Sequence, residues 1–377
     1  MKILELCLSP GVGGLELYVV KCCMALSDQN EVIAVVGNKG ILSERVAKHS
    51  IPYSTLTPSV RKLPLYSAYR LAQLINHESV DIIHMHWNKD LPLASFAKHF
   101  STSPPRLIVS RHMKMTRSKQ DFYHRLIYRE VNLMLSVTRT LSEIATEKLP
   151  PADAKKSDYL YLGVEAPDDK LDQEEILLRR RKLGITNDKF VVSVFGRIEE
   201  YKAQHLLIQA VAKLMDHGYS VHLLIIGHAM DEDYLRSLHS MARELHIHDN
   251  VLFHDFVESP QEWMQLCDCV VLTTIEETFG LVLVEAMRAG ICVIGSNRGG
   301  VLEIIENEKN GLLFESGDKT DLSNKLEMLI KDRKLLSTLA TNGKIFSDRY
   351  FDQKLHFQNL QNRFIGQLRE TNRWTEK

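Results

Sequence analysis

The sequence predicts an α/β protein made of two domains, each a parallel sheet flanked by helices. Three observations carry this prediction. Short β-branched runs alternate with longer helical patterns, and the runs are nearly continuous in apolar residues, as in sheets buried on both faces. The alternation falters between Gly163 and Gly184 and then restarts. A chain of 377 residues is also long for one hydrophobic core and comfortable for two.

In order, the strands expected in the first half are Ile3–Leu8, Glu31–Val36, Asp81–His86, Arg106–Ser110 and Leu133–Val137, with helices between them. Ala166-Pro-Asp-Asp-Lys opens a linker, and Leu177-Leu-Arg-Arg-Arg-Lys belongs to a charged helix after it. The second half resumes with strands Phe190–Gly196, Val221–Gly227, Val251–Phe253, Cys269–Leu272 and Ile291–Gly295. Residues from Lys325 to Leu368 read as helical throughout. The expected domains are therefore 1–165 and 166–350, followed by a terminal helix in 351–377. They are expected to face each other across a cleft, with motifs just after the strands, because ligands of open α/β sheets gather outside the carboxyl ends.

Composition narrows the function classes. Hydrophobic residues at 44% and charged residues at 25% fit a folded protein and exclude a disordered or collagen-like one. A net charge of -1 supplies no global field for nucleic acid. No apolar stretch approaches the roughly 20 residues of a spanning helix, and the start of the chain, with Lys2 and Glu5, is a poor signal peptide. Cys7, Cys22, Cys23, Cys267, Cys269 and Cys292 lie mostly in apolar runs without a repeated C-x-x-C spacing. Reduced buried thiols and a cytoplasmic location are expected, without zinc.

Three motifs carry chemistry. After the first strand, Gly11, Gly13 and Gly14 precede a helix beginning near Leu15, a turn that lets backbone N–H groups approach an anion or a sugar, although packing alone also produces such turns. Arg197 stands at a strand end and Lys202 at the start of the next helix, so two cations are expected to converge on a diphosphate; the alternative is two solvated charges. From Thr273 the chain runs through Glu277 into a helix starting near Gly280, with Glu285 inside it. The N–H groups of Phe279, Gly280 and Leu281 would form an anion hole at the positive helix end.

Glu277 and Glu285, with Phe279-Gly280 between them, resemble the E-x7-E motif of retaining GT-B glycosyltransferases of family 4. Gly196-Arg197 with Lys202, Asn297-Arg-Gly299-Gly300 with Glu303, and Asn310-Gly311 with Gly317-Asp318 resemble further stretches of that family in the same order; Gly13-Gly14 and His112 are the looser matches of the first half. The resemblance implies that Arg197 and Lys202 bind the donor diphosphate, Glu285 the ribose and Glu277 the sugar, with amides of Phe279, Gly280 and Leu281 in support. It implies that His112 approaches the sugar from the other domain, that Gly13 and Gly14 lie near the diphosphate, and that the terminal helix packs back on the first domain. Its donor would be a UDP- or GDP-sugar, with no other cofactor and no metal. Its acceptor would be a glycan or glycolipid of surface polysaccharide or lipopolysaccharide assembly. Cys292, Asp255 and the stretch His228–Met230 depart from the family pattern, the latter two near where the base would lie.

Other constellations are weaker. His84 and His86 share a strand face and could ligate a metal, but no third ligand is near in sequence, so acceptor or packing roles are expected. Asp231 and Asp233 read as helix-start carboxylates. Arg111, Lys114, Arg117 and Lys119, with Arg61 and Lys62 earlier, form either a solvated face or a contact for a phosphorylated glycan or the inner membrane surface. A nicotinamide oxidoreductase is disfavoured because Glu31 begins the second strand instead of ending it. A non-catalytic sugar-binding protein on the same fold is the remaining alternative.

Overall fold

The computed structural model describes residues 1–375 apart from Val12, Lys39, Ser59 and Asp168, with side chains as far as Arg369. The chain divides into two compact units, Met1–Tyr161 with Lys354–Lys377, and Leu162–Gln353.

The first unit holds a seven-stranded parallel sheet: β1 (Lys2–Cys7), β2 (Glu31–Val36), β3 (Tyr53–Thr55), β4 (Ile82–Met85), β5 (Arg106–Arg111), β6 (Val131–Ser136) and β7 (Ser157–Tyr159), in the order β3-β2-β1-β4-β5-β6-β7. The second holds a six-stranded parallel sheet: β8 (Phe190–Phe195), β9 (Val221–Ile226), β10 (Val251–His254), β11 (Cys269–Leu272), β12 (Cys292–Ser296) and β13 (Leu312–Phe314), in the order β10-β9-β8-β11-β12-β13. Central strands β4, β8, β9, β11 and β12 are buried at every residue, which explains their unbroken apolar reading. Strands β3, β7 and β13 were not expected from the sequence. Each has three residues at a sheet edge, too short for a periodic signal.

The stretch expected to be helical from Lys325 onward is three helices, Lys319–Lys331, Arg333–Tyr350 and Gln353–Thr375, separated at Asp332 and at Phe351-Asp352. The last lays His356, Phe357, Leu360 and Phe364 against the first unit, with the Phe364 ring 5.1 Å from that of His84. Leu355 is exposed, and His356 takes the inward place. Its Nε2 lies 2.9 Å from the Tyr18 hydroxyl and its Nδ1 donates to the Tyr161 carbonyl at 2.6 Å. Among the described residues, no helix is long and apolar enough to cross a membrane.

Candidate functional site

The order of the second sheet reverses between β8 and β11, the switch point where open α/β sheets take ligands. Both donor motifs lie there. Arg197 and a 3-10 turn, Glu200–Lys202, follow β8; loop 273–280 and the helix Leu281–Arg288 follow β11. The two loops are tied together. Thr273 Oγ1 donates to the Lys202 carbonyl at 2.6 Å, the Tyr201 hydroxyl donates to the Glu276 carbonyl, and Lys202 Nζ donates to Glu277 Oε2 at 2.8 Å. The Lys202 and Glu277 side chains are each only 19% exposed.

Arg197 and Lys202 each hold a different carboxylate. Lys202 is paired with Glu277, whereas Arg197 is 56% exposed and pairs with Glu199 at 2.9 Å. The 3-10 turn between them gives each cation its own carboxylate.

Helix Leu281–Arg288 starts at Gly280, whose φ of 106° suits glycine, and among the described residues no side chain caps it. Its first-turn N–H groups therefore carry the positive end of the helix without a capping oxygen. Phe279 of the loop is buried and packs edge-on to Phe351 at 5.7 Å. Gly299 and Gly300 hold the loop from beneath. Gly300 N donates to the Glu277 carbonyl at 2.8 Å, and a Cβ on Gly300 would stand 2.4 Å from the Thr278 carbonyl oxygen and 2.7 Å from Phe279 Cα. Glu285 is the fifth residue of the helix, roughly 6 Å along the axis from Leu281 at 1.5 Å per residue.

In the first unit the order reverses between β1 and β4. Gly13 is the N-cap of the helix Gly14–Ser27, and Gly14 its first residue. This helix start is furnished from within: buried Glu16 sits in the first turn and accepts from Ser9 Oγ at 2.5 Å, while Gly11 N donates to Ser9 Oγ at 3.2 Å.

Beneath it lies a buried network that sequence spacing hid. Glu5 of β1 lies opposite His84 of β4. His86 Nε2 is 2.5 Å and His84 Nδ1 3.0 Å from Glu5 Oε2, and His84 Nε2 is 2.7 Å from Ser110 Oγ. With Cys22, these residues place four ligand atoms within 4.8 Å of one another, so the histidine pair does have further ligand types beside it. The geometry is nonetheless that of hydrogen bonds. Ligand atoms around a tetrahedral zinc stand about 3.3 Å apart when each bond is about 2.0 Å. Burial alone would raise the Glu5 pKa, but His84 and His86 outweigh it and hold the carboxylate at about 2.

His112 follows β5, with its ring edge-on to Tyr18 at 5.0 Å. Its Nε2 is buried with no partner among the described residues, and burial lowers its pKa to about 3, so the imidazole is neutral near pH 7. Asp90, unremarked in the sequence, is also buried at a strand-end loop. Its Oδ2 accepts from Leu8 N at 2.7 Å, Oδ1 has no hydrogen bond, Arg61 lies 3.9 Å away, and burial raises its pKa to about 7. The hydrophilic run Asn88-Lys-Asp after an apolar strand was the available signal.

Two peripheral motifs resolve. Asp231 Oδ1 accepts from Asp233 N at 3.0 Å and Tyr234 N at 3.1 Å, a helix cap, as the sequence suggested. His228 and Asp255, which depart together from the family pattern, form an exposed pair at 3.2 Å. All six cysteines are free and buried.

Comparison with known proteins decides the family. Residues 176–346 match the model described as "Glycosyl transferases group 1", and residues 5–142 match "Glycosyl transferase 4-like". The chain belongs to the group 1 glycosyltransferases. It is 25% identical over 365 residues to the capsular polysaccharide biosynthesis glycosyltransferase CapM of Staphylococcus aureus, covering 92% of this chain and 93% of that protein. It is also 25% identical over 352 residues to a Campylobacter jejuni N-acetylgalactosaminyltransferase whose name specifies a diphospho-undecaprenol acceptor, covering 89% of this chain and 92% of that one. Among solved structures, Anabaena Alr3699/HepE in complex with UDP superposes with a TM-score of 0.86 at 25% identity, covering 97% of this chain and all of the other, and the same protein is known with UDP-glucose. The two parallel sheets of this group 1 transferase are those of the GT-B fold.

Proposed function

We propose that this glycosyltransferase moves a hexose from UDP-hexose to a glycan or glycolipid acceptor of surface polysaccharide or lipopolysaccharide assembly, retaining the anomeric configuration and using no divalent metal. One observation carries the donor assignment: Lys202, held by Glu277, lies in the loops at the same switch point as an uncapped helix N-terminus. A diphosphate there exchanges Glu277 for phosphate oxygens on Lys202 and meets the N–H groups of Gly280 and Leu281. Glu277, released, accepts from sugar hydroxyls, while Glu285, deeper along the helix, accepts from the ribose. Arg197 swings from exposed Glu199 to the same phosphates. As the glycosidic bond breaks, charge grows on the leaving diphosphate, and these groups stabilise it where a metal would otherwise act.

On the first unit, neutral His112 keeps a buried Nε2 without a partner among the described residues, and Gly13-Gly14 open the first helix. The complexes of HepE with UDP and UDP-glucose support uracil as the base. Exposed Leu63, Leu65, Tyr66 and Phe122, near Arg61 and Lys62 in the same unit, support peripheral contact with an anionic membrane.

A thermal-shift panel of UDP-, GDP- and ADP-sugars tests the reading, since a ligand at 100 times its Kd stabilises by roughly 2.7 kcal/mol. A UDP-hexose should give the largest rise and should turn over in EDTA. A rise confined to GDP-sugars would replace the base, and activity lost in EDTA and restored by Mn or Mg would replace the mechanism.

A further inference from the structure

Three arginines are buried among the described residues, and they differ in what neutralises them. Arg288 donates to Asp348 at 3.0 Å and to Asp352 at 2.9 Å. Arg180 pairs with Asp268 at 3.2 Å. Arg111, the last residue of β5 and 5% exposed, makes no ion pair with any described residue. Its guanidinium donates to Asn88 Oδ1 at 3.0 Å and stands near the Tyr128 hydroxyl, both neutral, and its Nε is buried without a partner.

A buried cation with only neutral partners is costly, and a fold keeps one where something else supplies the counter-charge. The surroundings add positive charge. Lys119, partly buried, has its pKa lowered first by burial and then by repulsion from Arg111 and Arg117, while the nearby acid Asp121 is engaged with His124 at 2.5 Å. The cluster stands at the carboxyl end of a parallel strand, where ligands of such sheets collect.

We propose that Arg111, with Arg117 and Lys119, forms an anion subsite that takes a phosphate group carried by the acceptor. The proposal rests on the transferase reading above and names the class of acceptor it uses. A guanidinium presents N–H donors in a planar fork suited to phosphate oxygens, and the Nε–H of Arg111 is still unused. Because Arg111 is recessed, it selects a phosphate on a discrete group that can enter, and not the plane of a charged bilayer.

The test titrates inorganic pyrophosphate into the full chain saturated with UDP, so that phosphate contacts in the second unit are filled. Arg111→Met should weaken pyrophosphate at least tenfold and leave UDP affinity unchanged. The exposed pair change Arg117→Gln with Lys119→Gln should weaken it severalfold, and Lys202→Ala should leave it intact. Arg111→Met should also raise Tm by about 2 to 4 °C, because an uncompensated buried charge is removed; a fall would assign Arg111 a structural role. Equal pyrophosphate affinity in wild type and Arg111→Met overturns the proposal. So does an Arg111→Met protein that loses phosphatidylglycerol vesicles while the wild type never binds soluble pyrophosphate, which would make the cluster a headgroup surface. Failure of UDP to bind the wild type would count against the donor reading alone, since pyrophosphate can then be titrated into Lys202→Ala.

Discussion

The two sheets share one strand order over six strands, yet their switch points are furnished in opposite ways. After β8 and β11 the second unit sets a lysine–glutamate pair beside a helix start without a side-chain cap, so its charges can be re-partnered by a ligand. Around β1 and β4 the first unit fills the space with its own groups. Glu16 occupies the helix start, Glu5 holds two histidines, and Asp90 is buried with one oxygen unsatisfied. One unit keeps its polarity exchangeable, and the other stores it under the sheet. Stability should therefore depend on pH in the first unit, and nucleotide affinity on charge in the second.

The largest effect should come from acid. The pKa values of His86 and His356, lowered by burial to about 4, and of His112, lowered to about 3, lie below the 6.5 of an unfolded histidine. The unfolded chain therefore takes up these protons first; Asp90, raised by burial to about 7, is protonated in the folded state over the same range and offsets part of this, but three histidines outweigh one acid and the first unit loses stability as pH falls from about 6.5 toward 4. Buried His86 and His356 each contribute roughly 3 kcal/mol at pH 7 by this linkage. Among its described residues the second unit has one comparably lowered histidine, His222 at about 4. Hydrogen exchange at pH 7 and pH 4.5 should show β1, β4 and β5 losing protection ahead of β8, β9 and β11; equal loss would erase the contrast.

Glu5→Gln comes next, because it leaves His84 and His86 buried without their carboxylate. A loss of about 3 to 5 kcal/mol is expected, read as a fall in the urea midpoint with UDP affinity per folded molecule unchanged. Incubation with EDTA should not reproduce that loss; if it does, the Glu5 cluster holds a metal. Gly300→Ala sharpens the other side of the comparison. Its Cβ would collide with the Thr278 and Phe279 backbone, costing about 1 to 3 kcal/mol of stability and displacing the loop proposed to meet the diphosphate. UDP affinity should fall at least tenfold, whereas a change of the same cost in the first-unit core should spare it.

How much of this was legible in the sequence follows from the range of the interactions. Strands buried on both faces announce themselves as apolar runs, and the stretch Glu277 to Glu285 lies within one loop and helix, so its strand–loop–helix course could be read directly. Three-residue edge strands could not, since their stability comes from a neighbouring strand and not from their own pattern. Nor could the pairings that define the two sites. Lys202 meets Glu277 across 75 positions, and His84 meets Glu5 across 79, distances over which residue type says nothing about partner. Arg111 stood in the sequence as the first member of a basic run, either a solvated face or a contact for a phosphorylated glycan or the inner membrane surface, and its burial is what separates it from Arg117.

The central claim, that the second switch point binds a nucleoside diphosphate through charges that change partners, is tested most directly by calorimetric titration of UDP into wild type, Lys202→Ala, Glu277→Gln and Glu285→Gln. Lys202→Ala should weaken UDP at least tenfold, about 1.4 kcal/mol. Glu285→Gln should weaken UDP as well, through the ribose. Glu277→Gln should bind UDP as tightly as wild type or more so, because Lys202 no longer has to leave a carboxylate, and should lose its turnover instead. UDP affinity unchanged by Lys202→Ala, or lowered equally by both glutamate changes, would contradict the account.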